Sequence, residues 1–284
     1  MIENIVIMAG GVGSRLYPLS TPERPKQFLD ILGVGKTLIQ LTYDRFRVVN
    51  PEAQFWVVTS RDYVHYVREQ LPGIPPEHIL REPAMRNTAP CISYACRKIL
   101  HENKDSLVAV TPADAYVPDV NAFAGTMRTA LGFAAEKDAI VCIGIAPDRP
   151  CPDYGYIYAP AADKEVTAVG SFKEKPSVET AGRYLEEGGY WWNAGIFVAR
   201  ADVLGSELRC YAPEIEEVMD RIEADFNGPG EEMSLTVNFP LCPKISIDYA
   251  VIEKSAKVYA LAASWEWSDL GSFEAIEKIR GKIL

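Results

Sequence analysis

The sequence predicts a mostly parallel α/β sheet with helices on both faces, and two patterns carry that reading. Short apolar runs rich in β-branched residues recur at 5–8, 55–59, 107–111 and 139–145. They are too short for buried helices and nearly free of polar residues, as strands covered on both faces are. Between them apolar residues fall at helical spacing: Leu38, Leu41 and Phe46; Ile92, Ala95, Cys96 and Ile99; Phe123, Met127 and Leu131. Strands alternating with helices pair in parallel through crossover connections, which cover both sheet faces.

The first strand ends in Gly10-Gly11-Val12-Gly13-Ser14-Arg15. A glycine turn there lies at the carboxyl edge of the sheet, where open α/β sheets bind ligands. Without Cβ atoms, backbone N–H groups can crowd around an anion, and Arg15, Arg24 and Lys26 add positive charge. Phosphate handling is the implied chemistry. A dinucleotide fingerprint accounts for Gly11, Gly13 and even Asp30. It fails at Leu16, which takes the third glycine position, and at Pro18, Pro22 and Pro25, which break the helix it needs. Gly35-Lys36-Thr37 resembles the tail of a P-loop, but the leading glycine position is Asp30 and no strand runs into it. Lys36-Thr37 is expected to open the next helix instead.

Further along, a short strand at 78–80 leads into Glu82, Arg86, Asn87 and a helix beginning near Thr88. Glu82 is placed to read a ligand, to pair with Arg86, or both, and Thr88 could serve as the helix N-cap. Asp114 directly follows the apolar run 107–111, again at the catalytic edge. After about residue 150 the pattern loosens into aromatic strands at 154–158 and 190–198, with short helices at 178–185 and 213–222. This half reads as an insertion that shapes a second pocket. The loop 227–232, with two glycines and a proline, is the expected flexible excursion. Helical spacing returns at 247–253 and 273–279.

Composition sets the bounds. At 284 residues and 48% apolar, the chain is long enough for one large α/β domain with a true core. A net charge of −10 excludes a broad nucleic-acid or anionic-membrane surface, so the basic cluster serves a small anion. The six cysteines form no C-x-x-C pair and read as reduced core residues of a cytoplasmic protein. No signal-peptide pattern and no run of about eighteen apolar residues occurs. His65, His78 and His101 fall in none of the motifs, and no His/Cys cluster suggests zinc.

Taken together, GGVGSRLYPLS followed by RPKQF, EPAMRNTAP at 82–90, FKEKP at 172–176, WNAGIF at 192–197, SIDYAVIEK at 246–254 and WSDLGSF at 267–273 resemble the sugar-nucleotide pyrophosphorylases. The likeness is to the mannose-1-phosphate guanylyltransferase branch, in motif order, from residue 4 to about 275. The resemblance implies a Rossmann-like nucleotidyltransferase fold of the glycosyltransferase-A type in a single domain. Residues 1–150 would form mainly the nucleotide-binding half and 151–284 mainly the sugar-phosphate-binding half. Relatives usually continue into a carboxyl-terminal β-helix, which is not expected here.

By the same resemblance, Gly10, Gly11, Gly13 and Ser14 cradle nucleotide phosphates, while Glu82, Asn87 and Thr88 belong to the nucleotide side. Glu82 would accept from the N1–H and exocyclic amine of guanine, a donor pair that adenine and uracil lack. Arg15 and Lys26 would counter phosphate charge, and Asp114 with Asp269 would hold Mg²⁺. Gly155, Glu174, Lys175 and Asn193 would bind the sugar phosphate, with both ends of the Asn193 amide offered to hydroxyls. Asp248 is left between a metal-site water and a helix cap. Where relatives usually place histidine after the first metal-binding aspartate, this sequence has Ala115. The expected reaction joins GTP and mannose 1-phosphate into GDP-mannose and pyrophosphate. A guanylyltransferase for another sugar 1-phosphate, such as a heptose, and a catalytically silent nucleotide-sugar sensor stay open. The expected partners are these small substrates, with a homodimer left open.

Overall fold

The computed structural model describes residues 1–283. The predicted runs are strands β1 (Ile2–Met8), β2 (Gln54–Ser60), β4 (Ser106–Pro112) and β5 (Ile140–Ile145), with a short β3 (Ile79–Glu82). The helices between them are α1 (Leu38–Val49), α2 (Val64–Gln70), α3 (Thr88–Glu102) and α4 (Val120–Glu136). β3, β2, β1 and β4 lie side by side in that order, all parallel. Met8 is in register with Pro112, and Ser60 with Glu82. The carboxyl ends of β1, β3 and β4 therefore deliver the glycine turn, Glu82 and Asp114 to one edge. That shared edge follows from parallel pairing alone.

The second half is not an appendage. Its long strand β9 (Tyr190–Arg200) runs antiparallel between β4 and β5, in the middle of the sheet. Val198 and Ala199 are fully buried there. Beyond β5 comes β10 (Val258–Ala262), parallel to it, and then β7 (Thr167–Ala168) at the edge. β6 (Tyr156–Tyr158) pairs with β9 and with β8 (Ser171–Lys173), a small flap on the end of β9. The insertion expected after residue 150 is thus corrected: β9 closes the gap that β4 and β5 leave between them.

Two apolar clusters cover the two faces. One joins α3 and the helices α6 (Ala201–Tyr211) and α7 (Pro213–Glu223) to the sheet through residues such as Ile92, Leu204 and Met219. The other joins α1 and α4 through Phe46 and Phe123, which meet edge-on at 5.1 Å. The loop 227–232 is not a free excursion. Glu231 opens α8 (Glu231–Asn238) and takes hydrogen bonds from Lys98 Nζ at 2.9 Å and the Asn227 N–H at 2.7 Å. A carboxylate gathering a lysine and a backbone donor ties the turn to α3. The chain closes with α5 (Val178–Glu187) under the flap and α9 (Phe273–Ile283) against the amino-terminal turn, where Leu16, Leu270 and Ile276 pack together.

Candidate active site

At the carboxyl edge of β1, β3 and β4 lies a cavity of about 390 Å³ lined by Gly10, Gly11, Glu82, Asn87, Thr88 and Asp114. Six residues from three separated stretches of sequence converge there. Gly13, Ser14 and Arg15 are not in its lining; Ser14 and Arg15 are exposed on the outer turn. Gly13 is required for another reason. Its φ is +68°, and a Cβ would lie 2.9 Å from both Lys26 Cβ and Ser20 Oγ. The turn is held from below by Gln27, whose amide nitrogen donates to Ala9 O and Gly11 O, each at 2.8 Å. Gln27 lies within RPKQF, but no local pattern marks this role, because the contact depends on a fold-back of the chain. Lys244, which also lines the cavity, carried no motif signal.

Glu82 is buried, and its Oε1 is sealed with no hydrogen-bond partner. It does not pair with Arg86. Burial pushes its carboxyl up to about 8, because a charged group without partners is disfavoured in a low-dielectric setting. Such an orphan costs stability unless a ligand satisfies it. Asn87 rather than Thr88 caps α3: its Oδ1 accepts from the Thr88 N–H at 2.8 Å with φ at +68°. The Thr88 hydroxyl instead accepts from the Ile247 N–H at 2.8 Å, tying this cavity edge to the segment that carries Asp248.

Lys26 is buried between the two candidate metal acids. Its Nζ donates to Asp114 Oδ2 at 2.8 Å and to the main-chain oxygen of Asp269. Asp269 Oδ1 accepts from the Tyr154 hydroxyl at 2.8 Å and from the Gly271 N–H at 3.1 Å, while Arg15 stands 3.8 Å from Oδ2. Burial, with Asp269 beside it, raises the Tyr154 hydroxyl far above its ordinary range, so it stays a donor. Lys26 thus neutralises Asp114 directly and ties it to the main chain of Asp269, whose own carboxylate is held by Tyr154 and Gly271 with Arg15 nearby. Among the described residues, no group of three or more His, Cys, Asp or Glu forms a metal cluster. Two carboxylates with oxygens left over fit Mg²⁺, which takes one or two acids and fills its octahedron with phosphate and water.

The sugar-side candidates also come together. A Cβ on Gly155 would lie 2.6 Å from Glu174 Oε2 and 3.0 Å from Phe172 Cζ, so a larger residue would push both side chains aside. Lys175 Nζ is 3.1 Å from Glu174 Oε1, and the Glu174 N–H donates to Glu253 at 2.9 Å. Asn193 does not offer its whole amide: Nδ2 donates to Asp248 Oδ1 at 2.9 Å and Oδ1 accepts from the Gly195 N–H at 3.0 Å. Asp248 is thereby the partner of Asn193 among the sugar-side candidates. Burial first, and Glu174 second, push its carboxyl up to about 7. Asn87, Lys175 and Leu270 all hold positive φ beside these groups, and such strain gathers where a site must be shaped.

Residues 4–284 match the family described as nucleotidyl transferase. The chain is 38% identical over 289 residues to a mannose-1-phosphate guanylyltransferase of Escherichia coli K12, covering 96% of this chain and 59% of that relative. It is 37% identical to the alginate biosynthesis protein AlgA of Pseudomonas aeruginosa, covering 98% and 58%. The chain thus spans somewhat over half the length of these curated relatives. A solved structure titled mannose-1-phosphate geranyltransferase, from Thermus thermophilus, superposes with a TM-score of 0.87 at 34% identity, over 98% of this chain and 79% of that one.

Proposed function

The chain belongs to the nucleotidyl transferase family, and on that premise we propose that it forms GDP-mannose and pyrophosphate from GTP and mannose 1-phosphate. The observation that carries this reading is the cavity where an unpartnered buried carboxylate, Glu82, faces the same space as the glycine turn and Asp114. Guanine presents two adjacent donors that an ionised Glu82 can accept, and no other common base does. The triphosphate then runs along Gly10 and Gly11 toward Asp114. An oxygen of the sugar phosphate attacks the α-phosphorus in line, forming one P–O bond as the bond to the β-phosphate bridging oxygen breaks. Nothing in this step needs a protein nucleophile; positioning and charge neutralisation carry it.

Asp114 and Asp269 would hold Mg²⁺, which supplies charge neutralisation at the phosphates. Lys26 ties the Asp114 carboxylate to the Asp269 main chain and would offer its charge to the reacting phosphate, Arg15 would close from the exposed side, and Tyr154 fixes the Asp269 carboxylate. Glu174, Lys175 and Asn193, the last oriented by Asp248, hold the sugar phosphate beside Gly155. In this single domain, nucleotide binding falls mainly to residues 1–150 and sugar-phosphate binding mainly to 151–284, with Asp269 crossing between them. Six free cysteines, five of them buried, suit a cytoplasmic setting. Release of pyrophosphate from GTP plus mannose 1-phosphate, dependent on added Mg²⁺, is the test; no release with any sugar 1-phosphate would leave a nucleotide-sugar sensor.

A further inference from the structure

Across β9 from the sugar-phosphate candidates lies a cavity of about 720 Å³, larger than the nucleotide cavity and sharing no lining residue with it. Its walls include Tyr154, Trp192, Trp265 and Trp267, with Ser264 and Ser268 between them. Side chains alternate along a strand, so Trp192 faces this cavity from the side of β9 opposite Asn193. We propose that the cavity is a second ligand site, for an uncharged saccharide, separate from the site where the sugar phosphate would react.

Two indole nitrogens make the case. Trp192 Nε1 and Trp267 Nε1 are sealed from water and have no hydrogen-bond partner, and Trp192 is only 4% exposed. The third indole is different: Trp265 Nε1 donates to Thr126 Oγ1 at 3.1 Å. Buried indoles ordinarily find an acceptor, so two orphans in one cavity wall mark a place where a ligand supplies them after a small ring movement. Tyr154 meets both orphan indoles edge-on, at 5.0 and 5.2 Å, which holds their faces in place.

The charge around the cavity selects the ligand. Asp148, Glu266 and Glu274 stand against Arg149 and Lys278, three acids to two bases. Arg149 is already paired with Asp148 at 2.8 Å, and Glu266 with Lys282. Among the described residues Lys278 is left without an ion pair, but with Lys282 counted three acids face three bases, so the wall carries no net positive charge to select a phosphate. A saccharide ring fits what is present: its hydroxyls accept from indole N–H groups and donate to carboxylate and serine oxygens, and its C–H faces lie on aromatic rings. The volume falls within the range of small-molecule sites, about 300–1,000 Å³. The cavity also touches the proposed chemistry at one point, since Tyr154 lines it and donates to Asp269.

Saturation-transfer NMR with methyl α-D-mannoside and mannobiose, neither of which carries phosphate, tests this. Transfer to the ring protons is expected in the 284-residue chain, in the presence of saturating GTP, and in Lys175→Ala. Ala275→Phe and Ser272→Tyr project new side chains into the cavity from the start of α9 and should weaken binding roughly tenfold, as loss of a stacking contact with a hydrogen bond would. Both substitutions lie at accessible positions, and an unchanged melting temperature confirms that each variant is folded. Absence of transfer from both saccharides overturns the proposal, as does transfer that survives both cavity variants. Loss of binding in Lys175→Ala overturns it too, by assigning the saccharide to the sugar-phosphate side, without touching the proposed reaction.

Discussion

The edge proposed for the nucleotide and the side proposed for the sugar phosphate are built on opposite plans. At the nucleotide edge the deciding group, Glu82, is left without a partner, and burial holds its carboxyl near 8. On the sugar side polar groups already satisfy one another: Asn193 with Asp248, Glu174 with Lys175, and Glu253 with the Glu174 backbone. The first region stores an unmet hydrogen-bonding demand that a base can meet; the second uses its hydrogen bonds to fix geometry in advance. Removing a group from the first should change what binds, and removing one from the second should change how firmly the site is shaped.

Between the two regions sit Lys26, Asp114 and Asp269, where the largest effects are expected. Asp114→Asn and Asp269→Asn should each lower turnover by roughly 10²-fold or more, with the double variant little worse than either, because groups acting on one centre are not additive. Single-turnover rates of GDP-mannose formation check this; independent, multiplying losses would separate the acids. Next in size, Lys26→Ala removes the cation held by the Asp114 carboxylate and the Asp269 carbonyl. Because Asp114 is about a third exposed, the loss of stability should be about 2–3 kcal/mol, below that of a fully buried pair. Chemical denaturation measures it, and an unchanged midpoint would show that Lys26 is not the staple between the two acids.

A smaller effect distinguishes the two plans through pH. Glu82 has a folded value raised from 4.5 to about 8, so the empty protein binds its proton more tightly than the unfolded chain does. That contribution to stability is complete below about pH 4.5 and is lost as pH rises through about 8. Asp248, raised from 3.8 to about 7, acts in the same direction. If Glu82 reads guanine as proposed, GTP needs its ionised form and should bind more tightly as pH climbs toward 8. Glu82→Gln should abolish that rise in affinity and flatten the pH dependence of the melting temperature, leaving the Asp248 part. A variant whose slopes match the parent would put the titration elsewhere. Smallest of all, Asn193→Ala should cost about 1 kcal/mol of stability by freeing Asp248 Oδ1, with GTP affinity unchanged; a drop in GTP affinity in calorimetry would merge the two regions.

What was legible in the sequence follows the same division. Parallel strands deliver their loops to one edge, so Glu82, Asp114 and the glycine turn could be assembled from local pattern alone. β9 could not, because its place between β4 and β5 is decided by pairing across more than forty residues of intervening chain. Its aromatic start, Tyr190 to Trp192, resembled a peripheral flap. The Lys26 contact with Asp114 joins residues 88 apart, and the Tyr154 contact with Asp269 joins residues 115 apart. Neither leaves a trace in periodicity. The same is true of the cap on α3: both Asn87 and Thr88 are good N-cap residues, and the Thr88 hydroxyl is taken up by the distant Ile247 N–H, leaving Asn87 as the cap.

The central claim is that Glu82 reads guanine, and the preference for GTP over ATP in kcat/KM with mannose 1-phosphate tests it most directly. The parent should favour GTP strongly. Glu82→Gln should lose about 1.5–3 kcal/mol of that preference, since an amide can accept only one of the two guanine donors and sets its own donor against the other. A GTP-to-ATP ratio that is the same in parent and variant would contradict the account.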